Sequence, residues 1–233
     1  MIYHLLYEVL NYMNIYNQTT ILSISKYDNE YKRFYMYKEP ILYVKCNQID
    51  RYKKLNYKVI VNNIVDGLDL NDVINSGLYV IGLQFTDSFN NNVDNLPESL
   101  EEIIFGTSFN TQVNKLPKYL KKIEFGFIFN QYVDNLPNLL KSIKFGMDFN
   151  KNVDKLPIML EELHFCRNFN QKIDKLPPLI KIIILGDYFN KQIDNLPQSL
   201  EILILGRDFN QPIDNLPQSL KQLTLGEKFN QPI

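Results

Sequence analysis

The chain has 233 residues, 45% of them hydrophobic and 22% charged, with 25 basic against 26 acidic side chains and a net charge of -1. That length can bury a sizeable core in one or two domains, and the near-neutral total excludes a global basic field for a nucleic-acid backbone. Twenty-eight asparagines against no alanine and no tryptophan argue against a helical bundle, because alanine is the strongest helix former.

Two cysteines, Cys46 and Cys166, make neither a disulfide framework nor a metal-ligand cluster. A reducing, intracellular setting is the expectation. The opening MIYHLLYEVLNYMN lacks a basic segment followed by an apolar run and a cleavage site, and no stretch reaches the ~20 apolar residues that span a bilayer. A soluble, untargeted protein is expected, with no membrane partner, no metal and no cofactor.

Residues 1–40 read as a small helical region. Leu5, Leu6, Val9, Leu10 and Met13 share one helical face, and Ile21, Leu22 and Ser25 begin another after the break at Asn17-Gln18-Thr19. Residues 41–80 mix apolar and polar stretches, ILYVKC and then YKVIVNNIVDGLDLNDVINSG. Val73 and Asn75 keep phase with Val93 and Asn95, and Ser76-Gly77 stands where later units have Leu-Pro. One or two degenerate repeats acting as an N-terminal cap are expected there.

From residue 81 to 233 the chain repeats. Phe-Asn pairs begin at Phe89, Phe109, Phe129, Phe149, Phe169, Phe189, Phe209 and Phe229, seven intervals of 20 with no insertion. Leu-Pro keeps the same beat from Leu96 to Leu216. An uninterrupted period of this length signals a solenoid. In the unit LEILILGRDFNQPIDNLPQS, Leu203 and Leu205 point one way and Ile202 and Ile204 the other, the period-two mark of a short strand. The glycine after each strand is expected to supply a positive φ for the turn. The remainder, FNQPIDNLPQS, is too short and too rich in Pro, Asn and Asp for a helix and should return as an extended or 3₁₀ arc.

One strand per unit requires parallel stacking at about 4.8 Å, with spines of inward residues. Four columns are expected: Leu100 to Leu220, Ile103 to Leu223, Phe105 to Leu225 and Phe89 to Phe229. The asparagine of each Phe-Asn pair should form a structural ladder with the backbone of adjacent turns. The Asp94 to Asp214 column reads as turn caps in preference to a cation site, since each turn offers one carboxylate and Lys155 and Lys175 follow two of them.

The unit L-x-x-L-x-L-G-x-x-F-N-x-x-I-D-x-L-P resembles the FNIP repeat, a relative of the leucine-rich repeat known chiefly from amoebal and giant-virus proteins. The resemblance implies a leucine-rich-repeat-like arc with its sheet on the concave side, a role in holding other macromolecules, and no catalytic residues. It also implies the cytoplasm, that of a host cell if the chain is viral. Cys166 departs from the pattern by standing where six other units have glycine, and reads as a small buried residue.

The run from Leu5 to Phe34 resembles a divergent F-box, carried by its Glu-Val-Leu segment, the later Leu-Ser-x-Ser-Lys and the closing aromatic-basic cluster. The Leu-Pro before the first helix and the closing Trp of that motif are absent, with Tyr31 in the latter place. The resemblance implies that Leu6, Val9, Leu10, Ile21, Leu22 and Tyr31 contact a Skp-type adaptor of a cullin complex.

Solenoid function resides in positions that the core does not dictate. The outward strand phases carry mixed charges in the first units, including Lys144 and Glu162. His164 follows, and then Ile182, Ile184, Ile202 and Ile204 on two adjacent turns. Four neighbouring isoleucines mark a candidate contact patch, and three readings stay open: a protein partner, another copy of the chain, or no contact role. His164 is either a pH-sensitive or metal-binding group or an ordinary surface residue. No nucleophile triad, metal-ligand set or phosphate-cradling glycine loop is visible, so a non-catalytic binding module is expected. The alternative is a self-associating structural protein that uses the isoleucines and an uncapped last strand.

Overall fold

The structure is a computed structural model that describes residues 41–51, 58–64 and 66–232. The helical region expected over residues 1–40, with Leu6, Val9, Leu10, Ile21, Leu22 and Tyr31, lies outside them.

The described chain is a parallel β-solenoid whose ten strands form one sheet in strict sequence order. The first three strands are β1 (Ile41–Lys45), β2 (Lys58–Ile64) and β3 (Tyr79–Phe85). Seven three-residue strands follow: β4 (Glu102–Ile104), β5 (Lys122–Glu124), β6 (Ser142–Lys144), β7 (Glu162–His164), β8 (Ile182–Ile184), β9 (Ile202–Ile204) and β10 (Gln222–Thr224). From Gly82↔Glu102 onward every register step is one repeat, so chemically equivalent residues lie side by side. A slip would place a polar outer residue in the core, which is why the sequence period and the pairing period agree.

The 41–80 segment enters the same sheet through longer strands, with shifts in register between β2 and β3. Its connection differs from all later ones. After a 3₁₀ segment at Cys46–Arg51, a true helix, α1 (Gly67–Asn75), carries the return from β2 to β3. Asp66 caps it, its Oδ1 accepting from Leu68 N at 2.8 Å and Asp69 N at 3.0 Å, and Leu70 and Val73 turn into the core. Gly77, at φ 73°, ends it in the left-handed region.

The later returns contain turns and neither α nor 3₁₀ helix. Most are closed by paired i to i+3 bonds, such as Leu140 N to Pro137 O at 3.2 Å and Phe129 N to Gly126 O at 3.3 Å. The expected asparagine ladder is present: Asn90 Oδ1 accepts from Asn110 N, and the pattern continues turn by turn to Asn210 and Asn230 over 2.8–3.1 Å. It gives a partner to one backbone N–H per turn that no strand bonds. Asn150→Ala strands Asn170 N and the Gln171 amide, both bonded to Asn150 Oδ1. It is expected to cost about 1–2 kcal/mol in urea unfolding, with Asn150→Asp costing less because the acceptor survives.

All four expected columns are buried except at their last members, Leu220, Leu223, Leu225 and Phe229, which are partly buried, and a fifth runs beside them: Val73, Val93, Val113, Val133, Val153, Ile173, Ile193 and Ile213. Equivalent rings of the Phe89 to Phe229 column are 6.0–6.2 Å apart and nearly parallel. The sheet steps by only about 4.8 Å. Turns closer together at the sheet than at the phenylalanines form wedges, so the arc bends with the sheet on its concave side.

Two expectations need correction. The repeat glycines do not supply positive φ; among the described residues Gly77 is the one glycine that does. A Cβ on Gly106, Gly126, Gly146, Gly186, Gly206 or Gly226 would instead lie 1.7–2.1 Å from a carbonyl oxygen of the preceding turn. Close backbone stacking is what the glycine permits. The Asp column does not cap turns either. Asp94, Asp134 and Asp154 receive Lys115, Lys155 and Lys175 of the following turn at 3.1–3.4 Å, while the caps are Asn92 and Asn152, which accept from Asp94 N and Asp154 N.

Candidate functional site

Each short strand from β4 to β9 buries its middle residue and turns the two flanking ones to the concave face. Two rows result. One runs Glu102, Lys122, Ser142, Glu162, Ile182, Ile202; the other runs Ile104, Glu124, Lys144, His164, Ile184, Ile204. The seven residues singled out from the sequence (Lys144, Glu162, His164, Ile182, Ile184, Ile202 and Ile204) therefore fall on four adjacent strands, β6 to β9.

Most charge on this face is paired internally. Lys122 meets Glu102 at 2.6 Å, Lys144 meets Glu124, and Ser142 Oγ donates to Glu162 Oε2 at 3.0 Å. Such exposed pairs add little stability, but they leave few free charges to recruit a partner. The isoleucines lie directly side by side, Ile182 against Ile202 and Ile184 against Ile204. None is fully exposed: register packing leaves each half-buried, a flatter surface than the sequence suggested.

His164 joins the charged and apolar sectors, between Lys144 and Ile184. Its Nε2 is buried without a hydrogen-bond partner among the described residues. Burial holds the imidazole below its ordinary pKa; Glu162 and Glu124 oppose that shift and Lys144 reinforces it. A neutral ring extends the apolar patch by one strand. Burial raises the Cys166 thiol, and burial followed by Asp69 pushes Cys46 up to about 12, so neither is poised as a nucleophile. Among the described residues no group of three or more His, Cys, Asp or Glu converges as a metal site, and no helix is long and apolar enough to cross a membrane.

More exposed apolar residues lie elsewhere: apart from Leu68 on α1 and Tyr132 on a return arc, most flank the strands. Tyr119, Leu139, Ile158, Met159 and Leu179 stand just before the strands, and Phe127, Ile128 and Met147 just after them. The signal was present in the two phases between Pro and the next Leu. Reading the strand phases alone passes over it.

Residues 89–127, 169–208 and 209–233 match the family model described as FNIP Repeat. A solved structure described as the crystal structure of CroV588, a novel circular LRR protein, is 31% identical with a TM-score of 0.59. The match covers 78% of this chain and 35% of that one, so this chain spans about a third of that relative's length. No curated protein matches the chain.

Proposed function

Because this chain is an FNIP-repeat protein of leucine-rich-repeat type, we propose that it is a non-catalytic protein-interaction module whose concave face holds a protein partner. The observation that carries the reading is the change of character along that face. Neighbouring charges pair with one another up to Lys144, and then neutral His164 and four side-by-side isoleucines present apolar surface that no other described residue covers completely. Covering the remaining exposed part of each isoleucine is worth roughly 1 kcal/mol, before the cost of association. A partner with an apolar ridge fits this surface better than a strongly charged one.

Ile182→Lys with Ile204→Lys is expected to abolish partner capture by the full chain while its melting temperature stays within a few degrees of the parent, since both positions face outward. Undiminished capture by that variant would overturn the reading.

The finer proposal is that the F-box-like segment Leu5 to Phe34 docks a Skp-type adaptor, making the solenoid a substrate-recognition subunit of a cullin-type ubiquitin ligase. Its support is the sequence resemblance. Purified adaptor should bind the full chain and fail to bind a chain lacking residues 1–40; absence of binding to the full chain removes the ligase role and leaves the concave-face reading standing.

A further inference from the structure

The rim before the strands carries a row of apolar side chains that the fold does not require. Tyr119, Leu139, Met159 and Leu179 occupy one phase of four successive turns, with Ile158 beside Met159, and their exposure runs from 39% at Met159 to 61% at Ile158. Directly behind them Leu120, Leu140, Leu160 and Ile180 are fully buried, so the core is complete without the row.

Other turns show what this phase does when it serves the fold alone. There it is serine: Ser99 Oγ donates to Val80 O at 2.6 Å, Ser199 Oγ to Ile180 O at 2.7 Å and Ser219 Oγ to Leu200 O at 2.6 Å. Each hydroxyl ties its turn to the one before. The four middle turns lack that bond and expose a large apolar group to water, which costs solubility and a bond worth about 1 kcal/mol per turn. Polar turns bound the row on both sides, Glu98-Ser99 before it and Gln198-Ser199 after it.

We propose that this row is a self-docking surface, on which the same row of a second copy lies antiparallel about a twofold axis between Leu139 and Met159. Two arguments favour a second copy. The knobs recur at the solenoid step of about 4.8 Å, and another solenoid of the same step supplies hollows at matching intervals along its whole length. A twofold arrangement sets Tyr119 near Leu179 and Leu139 near Met159, each kind of contact occurring twice. The area is also sufficient. The five side chains expose on the order of 450 Å² per copy. Doubled, and with a polar rim added, that reaches the roughly 1,000–1,200 Å² at which specific interfaces begin. The surface is separate from the concave isoleucines, so a dimer built this way leaves both concave faces open.

The test is sedimentation velocity of the full chain over a concentration series. The parent is expected to sediment as a dimer at micromolar concentration. Leu139→Ser with Met159→Ser and Leu179→Ser restores the residue that the fold uses elsewhere. It should therefore remain folded by circular dichroism while dimerising at least tenfold more weakly. Ile182→Lys with Ile204→Lys should dimerise as the parent does. A parent that is monomeric up to about 100 µM, or a triple-serine variant that dimerises as tightly as the parent, overturns the proposal.

Discussion

Gly146→Ala is expected to be among the most damaging single changes in the chain, costing more than about 3 kcal/mol in urea or thermal unfolding. The added Cβ would lie 1.7 Å from Gly126 O and 2.5 Å from its carbonyl carbon. Both are backbone atoms, so no rotamer change relieves the overlap. The turns must separate, and separation breaks the neighbouring bonds that hold them, among them Asp148 N to Phe127 O at 2.9 Å and Phe125 N to Lys144 O at 2.8 Å. Gly77→Ala provides the contrast. Its Cβ meets nothing within 4 Å but its φ is 73°, so it carries only the left-handed strain of about 1–2 kcal/mol. A positive-φ origin for the repeat glycines would reverse this order.

The natural exception supports the same argument. Cys166 occupies the slot between Gly146 and Gly186, and among the described residues it is the repeat turn that lacks the closing bond from the i+3 Phe N–H. Cys166→Gly is therefore expected to stabilise the chain, readable as a higher melting temperature.

Phe149→Ala is expected to cost about 3–5 kcal/mol, the range for emptying a fully buried aromatic site. Its ring stacks 6.1 Å from both Phe129 and Phe169, and 3.8 Å from Phe145 of the same turn. Stacked turns on both sides keep their spacing, so the surroundings cannot collapse into the void. Phe229→Ala should cost less than half as much, because Phe229 is only partly buried and stacks on Phe209 alone among the described rings. Equal losses at the two sites would contradict the wedge-stacked column.

Much of this was legible because a solenoid converts sequence separation into spatial adjacency. Once Phe-Asn recurs without a slip, Asn150 must lie beside Asn170, and a parallel sheet with side-by-side isoleucines follows. What the period does not reveal is which atoms of adjacent turns touch. The glycines looked like turn residues because glycine commonly serves turns, whereas the demand comes from a carbonyl of the previous turn that no single-turn pattern exposes. For the same reason the Asp column looked like caps, although Asp94, Asp134 and Asp154 pair with lysines of the following turn. Helix α1 was hidden by the decayed phase around Gly67–Asn75, where Asp66 as N-cap and Gly77 as terminator were the available signs. The isoleucines do lie side by side, but they are less exposed than their outward phases implied, since strand neighbours cover one another's flanks. The apolar rim went unread although four turns with Tyr or Leu or Met at the serine phase announce it.

The central claim is that a protein partner seats on the isoleucines of β8 and β9. A photo-cross-linking side chain at Ile184, compared with one at exposed Gln192 on the return arc, tests it most directly in the full chain inside cells. The account predicts a discrete adduct with a different protein from position 184, lost when Ile202 and Ile204 are changed to lysine, and none from position 192. Adducts from position 192 with none from 184 would contradict it.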